Sequence, residues 1–207
     1  MTMALILDEN GLTEEEFIKQ YDASNFERPS VTVDIIIFNK SRVLLIKRKR
    51  HPSLGKLAFP GGFLDPNEDV YTAAYRELRE ETGLRAVGLR QLGVQSAPNR
   101  DPRTRIVTVP FLCDIADESE LCAGDDAASA NWYDFSFKKS TLNGVTIYEV
   151  TINDSGERRK FRVSVSADKS GLSADLIYKQ IGESCLAGDH AEIFVRALEN
   201  YNRPSYN

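Results

Sequence analysis

The sequence predicts one α+β domain in which a mixed β-sheet is sandwiched between α-helices. Strand-like and helix-like segments are mixed along the chain and do not alternate as βαβ units. The length of 207 residues corresponds to one elaborated domain, because domains average about 150 residues. Hydrophobic residues make up 42% of the chain, which is ample for a buried core.

A short helix is predicted near the start of the chain, over residues 13–21 (TEEEFIKQY). Thr13 is its expected N-cap, and Glu16 stands at the capping-box position. The residues 28–30 (RPS) break this helix. We therefore expect residues 1–30 to form an N-terminal helical extension and residues 31–207 to form the main domain.

The first predicted strands form a hairpin after this extension. Residues 31–38 (VTVDIIIF) are β-branched and almost continuously apolar, which is typical of a buried strand. Residues 39–41 (NKS) indicate a turn, and residues 43–46 (VLLI) predict the returning strand.

The remaining elements follow from periodicity and turn residues. A helix is predicted over residues 69–82, with Asp69 as N-cap and Gly83 as a left-handed C-cap. Further strands are predicted at 89–94, 105–115, 131–135, 145–152 and 160–166. The last two flank an Asn-Asp-Ser-Gly turn, so we expect a hairpin insertion near 145–166. Two C-terminal helices are predicted over residues 173–184 and 189–201.

Composition excludes several functional classes. Thirty-one acidic against 26 basic residues give a net charge of -5, which argues against a nucleic-acid partner. No apolar stretch approaches the ~20 residues of a membrane span, and the N-terminus lacks the features of a signal peptide. Three cysteines without a CxxC pair indicate reduced thiols. We expect a cytoplasmic protein with no membrane partner.

The composition also limits the metal chemistry. Two His and three Cys leave little room for a zinc site, whereas carboxylates are abundant. In the helix 69–82, Glu77, Glu80 and Glu81 stand at i, i+3 and i+4 and so share one face. The simplest interpretation is a solvated charged face. The Gly61-Gly62 turn before the helix favours an oxygen-lined pocket for Mg²⁺ and phosphate instead.

The spacing of this segment resembles a known motif. Gly62, five residues, Glu68, seven residues and then RELREETGL over 76–84 are similar to the complete Nudix box. The stretches 28–34, 58–62, 99–103 and 189–191 resemble one Nudix subgroup, which contains ADP-ribose pyrophosphatases and Nudix-related transcriptional regulators. The resemblance covers most of residues 10–203.

The resemblance implies a hydrolase that cleaves a nucleoside diphosphate linked to another moiety, with ADP-ribose the favoured substrate and AMP and ribose 5-phosphate the products. Mg²⁺ is the implied cofactor, with Mn²⁺ as an alternative. The metal ligands would be the carboxylates of Glu77, Glu80 and Glu81 and the Gly61 carbonyl. Arg76 would orient a catalytic glutamate, and Glu68 would be structural. The general base stays open between a glutamate of the box and four loop carboxylates, Glu118, Glu120, Asp125 and Asp126.

Basic residues are candidates for contacts with the diphosphate. The substrate-binding set predicted from the sequence is Arg48, Arg50, Arg100, Arg103 and Gly62. Alternate residues of a strand point to opposite faces, so only half of the basic run 47–50 can face the site. For His190, a capping or other local hydrogen bond is favoured over catalysis. His51 is a weaker candidate for the pocket lining.

Three alternatives remain at this stage. The first is a ligand-sensing regulator of the same fold, although a chain ending at Asn207 leaves no room for a winged-helix domain. The second is a non-catalytic nucleotide-binding module. The third is a hydrolase of another nucleotide, such as NADH, a nucleotide sugar or an oxidised nucleoside triphosphate. We also expect a homodimer, with the 145–166 hairpin as a candidate interface.

Overall fold

The computed structural model describes residues 6–115, 130–168, 170 and 176–201. The helices are α1 (Glu14–Gln20), α2 (Val70–Thr82) and α3 (His190–Tyr201). The first seven strands are β1 (Ser30–Ile36), β2 (Phe38–Asn39), β3 (Arg42–Lys47), β4 (Leu57–Ala58), β5 (Gly61–Phe63), β6 (Ala86–Gln91) and β7 (Ile106–Ile115). The last four are β8 (Asn131–Leu142), β9 (Val145–Asp154), β10 (Glu157–Ala167) and β11 (Leu176–Gln180).

A four-stranded mixed sheet lies between two helices. Its order is β5-β1-β7-β6, with β1 and β7 parallel and the other pairs antiparallel. Alternate residues of β1 point to opposite faces. Ile35 belongs to the apolar cluster that contains Leu78 of α2, whereas Ile36 belongs to the cluster that contains Phe194 of α3. The α+β class and the sandwiched mixed sheet are therefore confirmed.

The second sheet is antiparallel and larger. Its seven strands follow the order β11-β10-β9-β8-β3-β2, and β4 pairs with β3. The predicted hairpin is confirmed, because β9 and β10 pair from Asp154↔Glu157 onward. Strand β8 continues to Leu142, beyond the predicted end at residue 135, because it pairs with β9 along that length.

Two local predictions need correction. The predicted hairpin of strands 31–38 and 43–46 is confirmed only at its tip, because both edges of β1 are already occupied by β5 and β7. The tight hairpin joins β2 to β3 instead, with Phe38 opposite Val43. The predicted helix 173–184 is also wrong in its described part. Residues 176–180 form β11, which pairs along the free edge of β10.

The capping signals were predictive. In α1 the Thr13 hydroxyl accepts from the Glu16 N–H, and Glu16 closes the capping box, although no residue of α1 is buried. In α2 the Asp69 carboxylate accepts from Tyr71 N at 2.9 Å and from Thr72 N at 2.8 Å. Gly83 ends α2 in the left-handed conformation, as predicted. Within the described residues, none of the helices has the length and apolarity needed to span a bilayer.

Candidate active site

A cavity of about 320 Å³ opens between the double-glycine turn, the end of α2 and the start of α3. A volume of this size is at the lower end of the range for small-molecule pockets. Most of its walls come from five parts of the chain: residues 32–34 of β1, residues 59 and 61–63, Glu81, residues 100–103 and residues 187–190. The remaining lining residues are Ile46, Arg48, Pro52, Ser53 and Ile106.

The double-glycine turn fits its surroundings only without side chains. Gly61 has a φ of +154°, and a Cβ there would overlap the Val33 carbonyl of the neighbouring strand. A Cβ on Gly62 would overlap the Glu77 carboxylate of α2. The two glycines therefore allow the turn to contact β1 on one side and the acidic helix on the other.

Glu81 is the box glutamate that faces this cavity. Its Oε2 accepts a hydrogen bond from the Gly61 N–H at 2.8 Å. Burial raises the pKa of Glu81, the Gly61 N–H opposes that rise and the nearby carboxylates of Glu77 and Asp34 add to it, so that the resulting pKa is about 7. Near neutral pH this carboxyl group can therefore either hold or release a proton.

Arg76 connects the other carboxylates of the box. Its Nη2 donates to Glu68 at 2.5 Å and to the Phe63 carbonyl at 2.9 Å. Its Nη1 donates to Glu77 at 2.8 Å and to Glu80 at 3.3 Å. These contacts raise the pKa of Arg76, so the guanidinium remains charged. Arg76 thus holds the turn and the acidic helix together.

The three predicted metal carboxylates do not converge on one point. Only Glu81 lines the cavity, while the Glu80 side chain is 60% exposed and Glu77 is held by Arg76. Within the described ranges, no group of three His, Cys, Asp or Glu side chains is arranged to hold a metal ion. The donor chemistry nevertheless fits a hard divalent cation. Burial raises the pKa of Glu77 as well as that of Glu81, and a cation would relieve the cost of ionising both.

The predicted substrate arginines occupy different surroundings. Arg48, Arg100 and Arg103 line the cavity with Gly62, whereas Arg50 is exposed and does not line it. Arg48 donates through Nε to the Pro52 carbonyl at 2.8 Å. The positions of Arg48, Arg100 and Arg103 are thus compatible with contacts to a ligand in the cavity, whereas the position of Arg50 is not.

Two of these arginines are held by carboxylates. Arg100 donates to both oxygens of Asp189, at 2.9 and 2.7 Å, and its side chain is only 7% exposed. Arg103 pairs with Asp101 at 2.8 Å and lies over the Phe63 ring, with its Cζ 5.5 Å from the centroid. Both guanidinium groups are therefore oriented before any ligand binds.

The sequence did not predict that Asp34 forms an acidic floor of the cavity. Asp34 is buried, accepts from the Thr108 hydroxyl at 2.7 Å and lies 3.4 Å from His190 Nε2. A charged residue inside the apolar run VTVDIIIF was an available signal. His190 lines the cavity, whereas His51 does not. The loop candidates for the general base, Glu118, Glu120, Asp125 and Asp126, lie outside the described residues.

A sandwiched mixed sheet and a partly buried glutamate that faces a double-glycine turn are the features expected of a Nudix pyrophosphohydrolase. The NUDIX domain family model matches residues 28–137, which is more than half of the chain. This chain therefore belongs to the Nudix family, as its resemblance to the Nudix box predicted.

Two related proteins and one solved structure show what this chain is similar to within the family. The chain is 42% identical over 123 residues to an ADP-ribose pyrophosphatase of Methanocaldococcus jannaschii, covering 58% of this chain and 72% of the relative. It is 37% identical over 109 residues to the ADPR responsive transcriptional repressor NtrR of Acinetobacter baylyi, covering 50% of this chain and 44% of the repressor. A crystal structure of a MutT/nudix family protein from Enterococcus faecalis matches with a TM-score of 0.65 and 31% identity, covering 93% of this chain and 70% of that one.

Proposed function

We propose that this Nudix hydrolase cleaves ADP-ribose to AMP and ribose 5-phosphate with Mg²⁺ as its cofactor. The observation that carries the proposal is the position of Glu81, whose partly buried carboxylate accepts from the Gly61 N–H in a cavity lined by arginines. The similarity to an ADP-ribose pyrophosphatase over 72% of that protein supports the choice of substrate.

The residues that would hold the cation are Glu77, Glu80, Glu81 and the Gly61 carbonyl. A bound divalent cation would neutralise diphosphate oxygens and lower the pKa of bound water, and Mn²⁺ is the alternative to Mg²⁺. Arg76 keeps Glu77 and Glu80 in place through its two contacts from Nη1. Glu81, with a pKa of about 7, can accept a proton within the cavity at neutral pH.

The cationic side chains that would meet the diphosphate are Arg48, Arg100 and Arg103. A guanidinium group donates two parallel hydrogen bonds to phosphate oxygens, and an oriented one loses less rotamer entropy on binding. Asp189 provides this orientation for Arg100, and Asp101 provides it for Arg103. Gly62 has no side chain, which would let a phosphate approach the turn closely.

A panel of nucleotide substrates tests this proposal. ADP-ribose, NADH, a nucleotide sugar and an oxidised nucleoside triphosphate are each incubated with Mg²⁺ or with Mn²⁺, and the products are separated by chromatography. We expect the highest kcat/KM for ADP-ribose, with AMP and ribose 5-phosphate in equal amounts and no turnover in EDTA. Equal or faster turnover of another compound would reject ADP-ribose as the preferred substrate. No turnover of any compound would contradict hydrolysis itself and favour a non-catalytic binding module.

The second candidate function is ligand sensing by a transcriptional regulator. It is favoured by the 37% identity to the NtrR repressor, although the chain spans less than half of that protein. We expect no sequence-specific DNA shift in an electrophoretic mobility assay, with or without ADP-ribose. A specific complex that ADP-ribose releases would replace the enzyme proposal with the regulator.

We further propose a cytoplasmic homodimer that uses the exposed face of the 145–166 hairpin where β9 pairs with the end of β8. Three apolar side chains are exposed on this face: Leu142 at 76%, Ile147 at 37% and Val145 at 36%. Sedimentation equilibrium should give twice the chain mass, and Leu142→Asp should shift the population toward monomer. A monomer at all protein concentrations would contradict the homodimer. The localisation is tested separately by fractionating lysed cells, and recovery of the protein in the membrane fraction would contradict a cytoplasmic location.

A further inference from the structure

His190 occupies a position that its sequence context does not explain. It is the first residue of α3. Its Nδ1 accepts a hydrogen bond from the Phe59 backbone N–H at 3.1 Å, across 131 residues of sequence. The imidazole also stacks on the Phe59 ring, with centroids 5.2 Å apart and planes 11° apart. His190 thus holds the peptide that leads into the double-glycine turn.

The other ring nitrogen faces the floor of the cavity. Because Nδ1 accepts from Phe59, the proton of a neutral imidazole is assigned to Nε2. Nε2 lies 3.4 Å from Asp34 Oδ1, and Asp34 Oδ2 accepts from the Thr108 hydroxyl at 2.7 Å. Asp34 and Thr108 are both buried. This arrangement fixes the tautomer and the ring plane of His190.

Three consecutive residues of the turn are held by three different elements. The Phe59 N–H is held by His190 of α3, the Pro60 carbonyl accepts from Ile35 N of β1 at 2.8 Å, and the Gly61 N–H donates to Glu81 of α2. Asp34 is also the strand partner of Gly61 in the β1–β5 register. A shift of the peptide at Phe59 therefore reaches the Gly61 N–H through only two residues.

We propose that His190, oriented by Asp34, is a positioning residue that aligns the Gly61 N–H with the Glu81 carboxylate. This inference rests on the proposed role of Glu81 and Gly61 in hydrolysis. The imidazole forms a hydrogen bond with neither of them in the described part of the chain, so it acts through the backbone of residues 59–61. Groups that orient catalytic ligands in this indirect way typically change activity by about 10- to 100-fold when they are removed.

Substitutions of His190 separate this role from simple filling of space. His190→Phe keeps an aromatic ring on Phe59 but removes both nitrogens. His190→Asn places a carbonyl oxygen near the position of Nδ1, so it retains an acceptor for the Phe59 N–H. The matched control is His51→Phe, because His51 is the other histidine of the chain and is exposed outside the cavity lining. If a His190 variant does not fold, Asp34→Asn tests the contact between Asp34 and His190 Nε2 by changing Asp34 instead.

The first readout is steady-state kinetics on the substrate found with the nucleotide panel. We expect His190→Phe to lower kcat by about 10- to 100-fold with KM changed less than about threefold, and His190→Asn to recover most of the loss. The His51→Phe control should match the wild type. Wild-type kcat in a folded His190→Phe protein, or equal losses in the Phe and Asn variants, overturns the proposal.

The second readout does not depend on catalysis. The Gly61 amide proton is followed by NMR in protein free of metal and substrate, because a hydrogen bond to a carboxylate moves that resonance downfield. We expect His190→Phe to shift it upfield and to increase its exchange with solvent, while His190→Asn and His51→Phe leave it unchanged. An unchanged Gly61 resonance in His190→Phe rejects the positioning role. If the wild type hydrolyses nothing, the proposed function fails, and this measurement still decides the inference.

Discussion

The two walls of the cavity are built in different ways. The α2 wall (Gly61, Gly62 and Glu81) comes from one short segment, since Gly61 and Glu81 are 20 residues apart. The α3 wall (Asp34, Asp189 and His190) depends on contacts between residues that are remote in sequence. Arg100 and Asp189 differ by 89 in residue number, and Phe59 and His190 differ by 131. The α2 wall supplies a carboxyl group that can take up protons, whereas the α3 wall supplies polar contacts that hold neighbouring groups. The difference teaches that a recognisable motif can depend for its geometry on residues outside the motif.

The largest expected effect is on the α2 wall. Glu81→Gln should lower kcat by on the order of 10²-fold or more, because it removes the charge while its carbonyl can still accept from Gly61. Steady-state kinetics with Mg²⁺ measures the loss, and circular dichroism checks that the fold is retained. Glu149→Gln, a partly exposed glutamate of β9, is the control. An active and folded Glu81→Gln protein contradicts the assignment.

The next effect concerns the turn. Gly61→Ala should destabilise the fold by about 3 kcal/mol or more, because its Cβ overlaps the Val33 carbonyl at a φ of +154°. Gly62→Ala should cost less, since its Cβ meets the movable end of the Glu77 side chain, but it should still reduce kcat. Urea denaturation compares the two. Equal stability of both variants and the wild type would show that the turn has more room than described.

A third test uses the pH dependence of stability in metal-free protein. The pKa of Glu81 is about 7 in the folded protein against an ordinary value of 4.5. The folded state therefore binds the Glu81 proton more tightly than the unfolded state does. The resulting stabilisation of the fold is complete below pH 4.5 and is lost as the pH rises through 7. Glu81→Gln should be more stable than the wild type at pH 8, by at most about 3 kcal/mol, and the advantage should vanish near pH 4. Thermal melts in EDTA measure both, and a difference independent of pH would contradict the raised pKa.

The α3 wall should show a smaller effect on stability. Asp189→Asn should destabilise the protein by about 2 kcal/mol, because it leaves the buried Arg100 guanidinium without its bidentate partner. The matched variant is Asp101→Asn, which weakens the more exposed pair with Arg103 and should cost less than about 1 kcal/mol. Chemical denaturation at neutral pH measures the free energy of unfolding of both variants. A larger loss for Asp101→Asn than for Asp189→Asn would contradict the expectation that the more buried pair contributes more.

The smallest effect should be at the rim. Arg48→Ala should raise KM several-fold, because Arg48 lines the cavity, whereas Arg50→Ala should leave KM unchanged. Both residues follow β3 in the same basic run, so the pair tests orientation at nearly constant sequence position. A greater increase in KM for Arg50→Ala would reverse the assignment of the two arginines.

Much of the fold was predictable where the signals were local. The α2 helix begins after Asp69 and ends before Gly83 as predicted, because a capping carboxylate and a left-handed glycine act within a few residues. The β9–β10 hairpin was equally clear from its turn. The pairing of β1 and the identity of β11 were not, because both depend on which strand edges are free once the sheets have formed.

By itself, the sequence determined the acidic helix, the double-glycine turn and the family, because residues at fixed short spacing carry that information. Only the tertiary structure decided which glutamate faces the cavity, since Glu80 and Glu81 are neighbours and yet only Glu81 contacts the turn. It also decided the place of His190, whose two partners come from distant strands and loops. The physical reason is that the geometry of a helix fixes the angle between its side chains locally. Which residues face those side chains across the cavity depends on how distant strands pair.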